Sequence, residues 1–263
     1  EDLVLEQMMY EDFNEEKMET LIEGTLKERL VKGVLKIKDF IDNFLAFIGN
    51  LIDKISEKIN LSKAFINKYG RQNIEDAMAN CKVKVKMLPI KPANTSGKVV
   101  DGMIDDVWDL VLGDNPTGLD KANVLRILEV KSLEEIEQKI KYSYIEKDEP
   151  EEQYIANLDA KTIIGWLEAK SLASRLNDLA QIKRELKSIK LSYTSNNDKN
   201  KREEVNKDVV FLLNVVRKIL LTSTKYELKV TGMCRAIILR AISGKNENRV
   251  KPTKNDEDEY WKA

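Results

Sequence analysis

Two long seven-residue seams constrain this chain more than anything else in it. In the last third, Val205, Val209, Leu212, Val216, Ile219, Ser223, Tyr226, Val230, Met233 and Ile237 recur at alternating steps of four and three. A strand alternates its sides every second residue, whereas this rhythm keeps one face of an α-helix turned toward a partner. It predicts a helix from about Arg202 to Ser243, roughly 60 Å long at ~1.5 Å per residue, ended by Gly244. Leu179, Ile182, Leu186, Ile189 and Tyr193 continue the rhythm in the segment before it, which Asp159 can cap. A polar loop over residues 194–201 lies between, so the expected unit is an antiparallel helical hairpin.

The second seam lies in the N-terminal third. From Leu30 it runs through Val34, Ile37, Ile41, Phe44, Ile48, Leu51 and Ile55. Val31, Leu35, Leu45, Phe47 and Ile52 widen it beyond a two-helix contact, toward a bundle core, several partner helices or a lipid surface. Asn14 is placed to cap this helix, and the expected end is near Ile59. A shorter helix is expected over Ser62 to Met78, with Gly70 as its weak point. Eleven glycines and five prolines in 263 residues are few for a turn-rich β fold, which again favours long helices.

The middle of the chain reads differently. Cys81, Val83, Val85 and Met87 alternate with Lys82, Lys84 and Lys86, the one clear strand pattern. A lone strand is not stable, so it must pair within the chain or with another. Residues 98–112 read as a helix. Residues 119–131 read either as a helix or, over Val124 to Val130, as a strand for the first to pair with. Ser132 with Glu135 three residues on has the capping-box spacing and starts a helix to about Tyr142. Residues 146–152 read as an acidic linker. The expected fold class is therefore mainly α: a long-helix bundle with a C-terminal antiparallel hairpin and one or two short β-strands. The expected regions are an acidic N-terminal segment with the long amphipathic helix (1–80), a small mixed α/β region (81–150), the hairpin (151–244) and a polar tail (245–263).

Composition narrows the chemistry. The chain has 44 Lys+Arg against 45 Asp+Glu, a net charge of −1, no histidine and two cysteines. Without imidazole there is no His base, no His-ligated metal and no Ser-His-Asp triad. Two cysteines do not make a disulfide scaffold; Cys81 and Cys234 lie on apolar faces and read as small buried hydrophobes. Balanced charge speaks against a long-range grip on nucleic acid, which needs surplus cations facing phosphates. The basic run Lys183, Arg184, Lys187, Lys190 is interrupted by Glu185 and reads as a wet helix face. The acids Asp101, Asp105, Asp106, Asp109 and Asp114 lack the alternating ligands and closing glutamate of a calcium loop, so a solvated helix face is the better reading. There is no phosphate-binding loop and no dinucleotide fingerprint, and no cofactor, metal or catalytic residue is expected. No apolar run reaches 18 residues, so a conventional membrane span is not expected. The first 23 residues carry nine acids and one base, unlike a signal peptide. A start at Glu1 fits either proteolytic trimming or numbering that omits earlier residues.

The order of elements carries a resemblance. It runs from a lysine-punctuated amphipathic helix (Lys32–Ile59) through FINKYGRQNI (Phe65–Ile74), VKVKMLPI (Val83–Ile90) and LRILEV (Leu125–Val130). It closes in KYELKVTGMCRAIILRAI (Lys225–Ile242), with Tyr226 and Cys234-Arg235 in the last helix. This resembles virion structural proteins of large tailed bacteriophages that infect low-GC Gram-positive bacteria. The resemblance implies a non-enzymatic capsid or virion component, internal or head-associated. It would be assembled in the host cytoplasm and partnered by other virion proteins or copies of itself. The residues expected to form its assembly interface are Leu30, Val34, Ile37, Ile41, Phe44, Ile48 and Leu51 in the helix, with Val83 and Val85 in the strand. The alternative expectation is a membrane-active protein ejected with the genome, inserting its amphipathic helix 30–59.

Overall fold

Where the seams run through the described residues, the chain is helical. The computed structural model describes residues 37–112, 121–168, 170–195 and 199–246, excepting the side chains of 37, 38, 121, 170, 171, 190–195, 199–208, 245 and 246. In order, the elements are α1 (Ile37–Tyr69), α2 (Arg71–Ala79), β1 (Lys84–Met87), α3 (Ala93–Leu112), α4 (Lys121–Ile127) and α5 (Leu133–Tyr144). After them come β2 (Glu151–Tyr154), a 3-10 turn (Ile155–Asn157), α6 (Ala160–Leu167), α7 (Lys170–Ser195) and α8 (Lys199–Asn246). The protein is mainly α, as its sequence predicts. The expected helix start at Asn14 and the seam residues Leu30 and Val34 lie outside the described residues.

Several boundaries differ from expectation, each for a local reason. The helix expected to end near Ile59 instead runs on to Tyr69. Its buried stripe continues through Ile55, Ile59, Ser62 and Phe65, and no glycine or proline interrupts it until Gly70. Gly70 takes φ 77°, a left-handed value that glycine adopts without steric cost, and the chain restarts as α2. Asp159 does cap a helix, accepting from the backbone N–H groups of Lys161 and Thr162. That helix is the short α6, which stops at Leu167, and α7 begins separately at Lys170. Glu135 does reach back, but its carboxylate accepts from the Lys131 N–H at 2.7 Å, one residue before the Ser132 cap. α8 runs past Gly244 to Asn246. A Cβ at Gly244 would lie 3.2 Å from a Val83 methyl and 3.6 Å from the Cys81 sulfur, so the glycine lets α8 close onto the chain entering β1.

The strand is shorter than its pattern, and its partner is not the segment expected. β1 keeps Val85 and Met87 buried with Lys84 and Lys86 exposed. Residues 121–127 are helical, and β1 pairs antiparallel with β2, which begins in the last two residues of the region read as a linker. The register sets Lys84 opposite Tyr154 and Lys86 opposite Glu152. The Lys84 amine stands 5.2 Å from the Tyr154 ring centre. Pairing continues beyond the strands through Ile155 N–H to Val83 O (2.9 Å), Glu146 N–H to Pro89 O (2.9 Å) and Lys91 N–H to Tyr144 O (2.8 Å).

Cross-helix contacts fix the directions. The guanidinium groups of Arg217 and Arg235 stand 5.3 and 4.9 Å from the rings of Phe47 and Phe65. Both pairs advance together, so α1 and α8 run parallel. Asp101 meets Arg175 and Trp108 meets Glu185, so α3 and α7 also run parallel. Arg175 also meets Ser223, at a similar distance from the α7–α8 connection on each side, so those two helices run antiparallel. α1 packs chiefly on α7, and α3 chiefly on α8. Thus α1, α3, α7 and α8 form a four-helix bundle in which α1 and α3 each pack on both α7 and α8, and α2, α5 and α6 also pack on α8. Buried residues from residue 40 to residue 241 belong to one continuous core, so the N-terminal helix and the hairpin share it. α8 is its centre: Leu212, Leu213, Val216, Ile219, Leu220, Thr224, Glu227, Val230, Cys234 and Ile238 are buried on several sides of the helix. A helix apolar nearly all round belongs inside a fold.

Leu51 is fully buried in the α1 stripe. Leu51→Ala is expected to lower unfolding stability by about 2–5 kcal/mol, read from the denaturant midpoint, while leaving the helical content intact.

Candidate functional site

Charged side chains rarely enter a core unless something holds them. Arg175 is wholly buried, with 0% of its surface exposed. It stands on α7 four residues before Leu179, on the same seam. Its Nε and Nη2 both donate to Asp101 Oδ1 on α3, at 3.1 and 2.7 Å. Its Nη1 donates to Ser223 Oγ on α8 at 2.8 Å, and that hydroxyl donates on to the Leu220 carbonyl at 3.1 Å. One guanidinium therefore ties three helices together.

Two more polar groups close the cluster. Glu227, one helical turn beyond Ser223, is completely buried, and Tyr144 enters from the end of α5. Burial works against the Arg175 charge, but Glu227, Tyr144 and Asp101 outweigh it, and the guanidinium is held above its ordinary pKa. Burial, then the Glu227 charge, raise the Tyr144 phenol well above its usual value. Tyr144 also packs its ring against Trp166, centres 5.7 Å apart, and Tyr226, 6.1 Å apart. Trp166 donates its indole N–H to the Lys91 carbonyl at 2.9 Å.

Toward solvent the cluster becomes acidic. The Asp101 side chain is 26% exposed. Asp105, one turn along α3, is raised in pKa by partial burial and then by Asp101, Asp109 and Asp106. Asp178 on α7 is raised by burial and then by Asp101, with Arg175 pulling the other way. Thus one member of the acid row read from the sequence as a solvated face, Asp101, bonds a buried cation, while Asp105, Asp106 and Asp109 are exposed as expected. Asp114 lies outside the described residues. Among the described residues no group of three or more side chains gathers to hold a metal ion.

Next to the cluster, on the other side of Tyr226, is a half-open cleft of about 350 Å³. Leu88, Ile145, Val230 and Met233 give it apolar walls, and Lys141, Asp148 and Lys229 stand at its rim. Lys141 Nζ lies 2.6 Å from Asp148, and the Tyr142 hydroxyl donates to the same carboxylate at 2.9 Å. Those two bonds hold the Asp148 carboxyl below its ordinary pKa, with help from the Lys229 charge.

The residues expected at an assembly interface lie largely inside the molecule. Ile41, Phe44, Ile48, Leu51 and Val85 are buried in the chain's own core, and Val83 is half-buried against it. Leu30, Val34 and the side chain of Ile37 lie outside the described residues. Contact with another molecule through the buried five would require the bundle to open. Cys81 and Cys234 are free thiols and buried, as their apolar surroundings predict, and burial alone raises Cys234 far above the ordinary thiol pKa. Compared with models of protein families, with curated proteins and with solved structures, the chain matches none.

The cluster was hidden in the sequence, though it left a signal. Ser223 is the one polar residue in the ten-position C-terminal seam from Val205 to Ile237, and Arg175 extends the α7 seam backward by one step. Polar residues on an otherwise apolar seam mark places where helices exchange hydrogen bonds. Asp101, Tyr144 and Glu227 carry no such mark, because what brings them to Arg175 is tertiary packing.

Arg175→Met is expected to cost about 3–5 kcal/mol, since it leaves acids at the site without their cation. Adding Asp101→Asn should cost less on that background than on the native one; a double-mutant cycle in denaturant measures the difference, and additive losses would contradict the direct pairing. The sign of the Asp178 effect follows from linkage. Its pKa is higher folded than unfolded, so its ionised form weakens the fold at neutral pH, and that penalty fades as pH falls toward the unfolded value near 3.8. Asp178→Asn should therefore be more stable than the native chain at pH 7, with the gap closing as pH is lowered through that window, followed by unfolding midpoints at each pH.

Proposed function

We propose that this chain is a non-enzymatic structural component of a bacteriophage virion, internal or head-associated. It would work through helix packing and contacts with other particle proteins or copies of itself. The observation that carries the structural part is the use of its buried polar groups. Arg175 turns all its placed hydrogen bonds inward, to α3 and α8, where they hold helices in register rather than address a substrate. The phage part rests on the order of segments from Lys32 to Ile242 and on Tyr226 and Cys234-Arg235 in the last helix. Assembly contacts belong to the outer faces of this bundle, since its seams pack inward.

The membrane-active alternative asks more of the molecule. Phe40, Ile41, Phe44, Phe47, Ile48, Leu51, Ile55 and Ile59 are all buried. Turning them to lipid would strip their partners on the rest of the core, at ~1.5–3 kcal/mol for each large apolar side chain left exposed. Among the described residues no helix is long and apolar enough to cross a membrane.

Mass spectrometry on purified particles, with and without external protease, tests the proposal. The expected result is a chain present in the particle and shielded until it is opened. Absence from particles would overturn the virion reading, and cleavage in intact particles would overturn the internal placement.

A further inference from the structure

The cleft beside Tyr226 has the make-up of a binding site. Its volume of about 350 Å³ falls within the range of small-ligand pockets. Its walls come from four separate places in the fold: Leu88 after β1, Lys141 on α5, Ile145 and Asp148 after it, and Tyr226, Lys229, Val230 and Met233 on α8. Backbone pairing of Pro89 with Glu146, and of Lys91 with Tyr144, fixes the first wall to the second. The chain runs unbroken from α5 into the third, and the packing of Tyr226 on Tyr144 fixes the fourth. The shape is therefore preformed, which lowers the ordering cost of binding.

Its polar groups sit together, at the rim. Two ammonium groups, Lys141 and Lys229, flank one carboxylate, Asp148. Asp148 is engaged by Lys141 and by the Tyr142 hydroxyl. Glu137, whose charge also acts on Tyr226, stands 4.0 Å from Lys225 and is not among the lining residues. The rim thus carries one more positive charge than negative, above an apolar floor of Ile145, Val230 and Met233. From this we propose that the cleft binds a small organic anion: a carboxylate on an apolar body, with the carboxylate at Lys229 and Lys141 and the body against Tyr226 and the aliphatic walls. This inference stands apart from the virion reading, and either can fail without the other.

Octanoate is the probe, with octanol as its uncharged counterpart and acetate as the carboxylate head without the apolar tail. The full-length chain is titrated with each and followed by chemical shifts of the Met233 and Val230 methyl groups. Octanoate should move these signals saturably, and at least tenfold more tightly than octanol or acetate, because only it satisfies both rim and floor. Lys229→Met should weaken octanoate tenfold or more while leaving octanol unchanged. Met233→Trp, which fills the cleft, should abolish binding of both; a far-ultraviolet circular dichroism spectrum and melting curve like the native chain's establish that each variant is folded. Equal affinity for octanoate and octanol, or octanoate affinity unchanged in both variants, would overturn the proposal. So would saturable binding at these methyl groups by a blocked Leu-Glu-Leu peptide with none by octanoate, which would mark the cleft as a reader of protein segments.

Discussion

One buried cation, Arg175, joins three of the four helices of this bundle. A guanidinium sealed from water is tolerated only where its donors are met, and Arg175 is met from α3 and α8 at once. Apolar seams alone permit a helix to slide by a turn or to rotate, because one Leu-lined groove resembles the next. A fork of donors aimed at Asp101 and Ser223 does not permit this without leaving charge unpaired inside the core. Register is thus set by a few polar atoms, and stability by the many apolar ones around them.

The same division explains how α8 can be so central and yet carry polar residues. Thr222, Ser223, Thr224, Glu227 and Thr231 are all buried within two and a half turns. The Thr224 hydroxyl bonds the Leu220 carbonyl at 2.8 Å, and Ser223 bonds the same carbonyl while receiving Arg175. Ser223 and Thr224 thus close on their own helix and enter the core at small cost. Below this band the helix is held by Arg217 on Phe47, and above it by Arg235 on Phe65. Arginine stems cover apolar rings there while their heads face the rings' electron-rich surfaces.

The helices were legible because their signal is periodic and long. The α7 and α8 seams gave two long helices, which run antiparallel but pack chiefly on α1 and α3 rather than on each other, and the Ile41–Phe44–Ile48–Leu51 stripe gave α1. What was not legible was non-local. Glu151 to Tyr154 has no alternating pattern and is exposed on nearly every residue, so nothing in it announces a strand; β1 makes it one by offering an edge. The extension of α1 to Tyr69 was missed because Asn60 and Ser62 look like a boundary, whereas continuous packing beneath Ile59 and Phe65 overrides that weak preference. The stripe's period marks a packing face, but whether such a face turns inward or toward another molecule is decided by tertiary structure. As for the cleft, Lys141, Asp148 and Lys229 are ordinary surface residues in sequence, and only the return of α8 past α5 sets them side by side.

The central helix also has a consequence for how the protein comes to be made. Ribosomes release a chain from its N-terminus, so α1, α3, α5 and α7 emerge before the element they surround. Until residues 209–241 are available, the faces that pack on α8 have nothing to cover them, and Arg175 has only half of its eventual partners. A nascent chain in that condition is sticky. Its protection in the interval must come from elsewhere: from the speed of the last stretch of translation, from chaperones, or from the dense, evenly mixed charge on its outer faces keeping neighbouring chains apart.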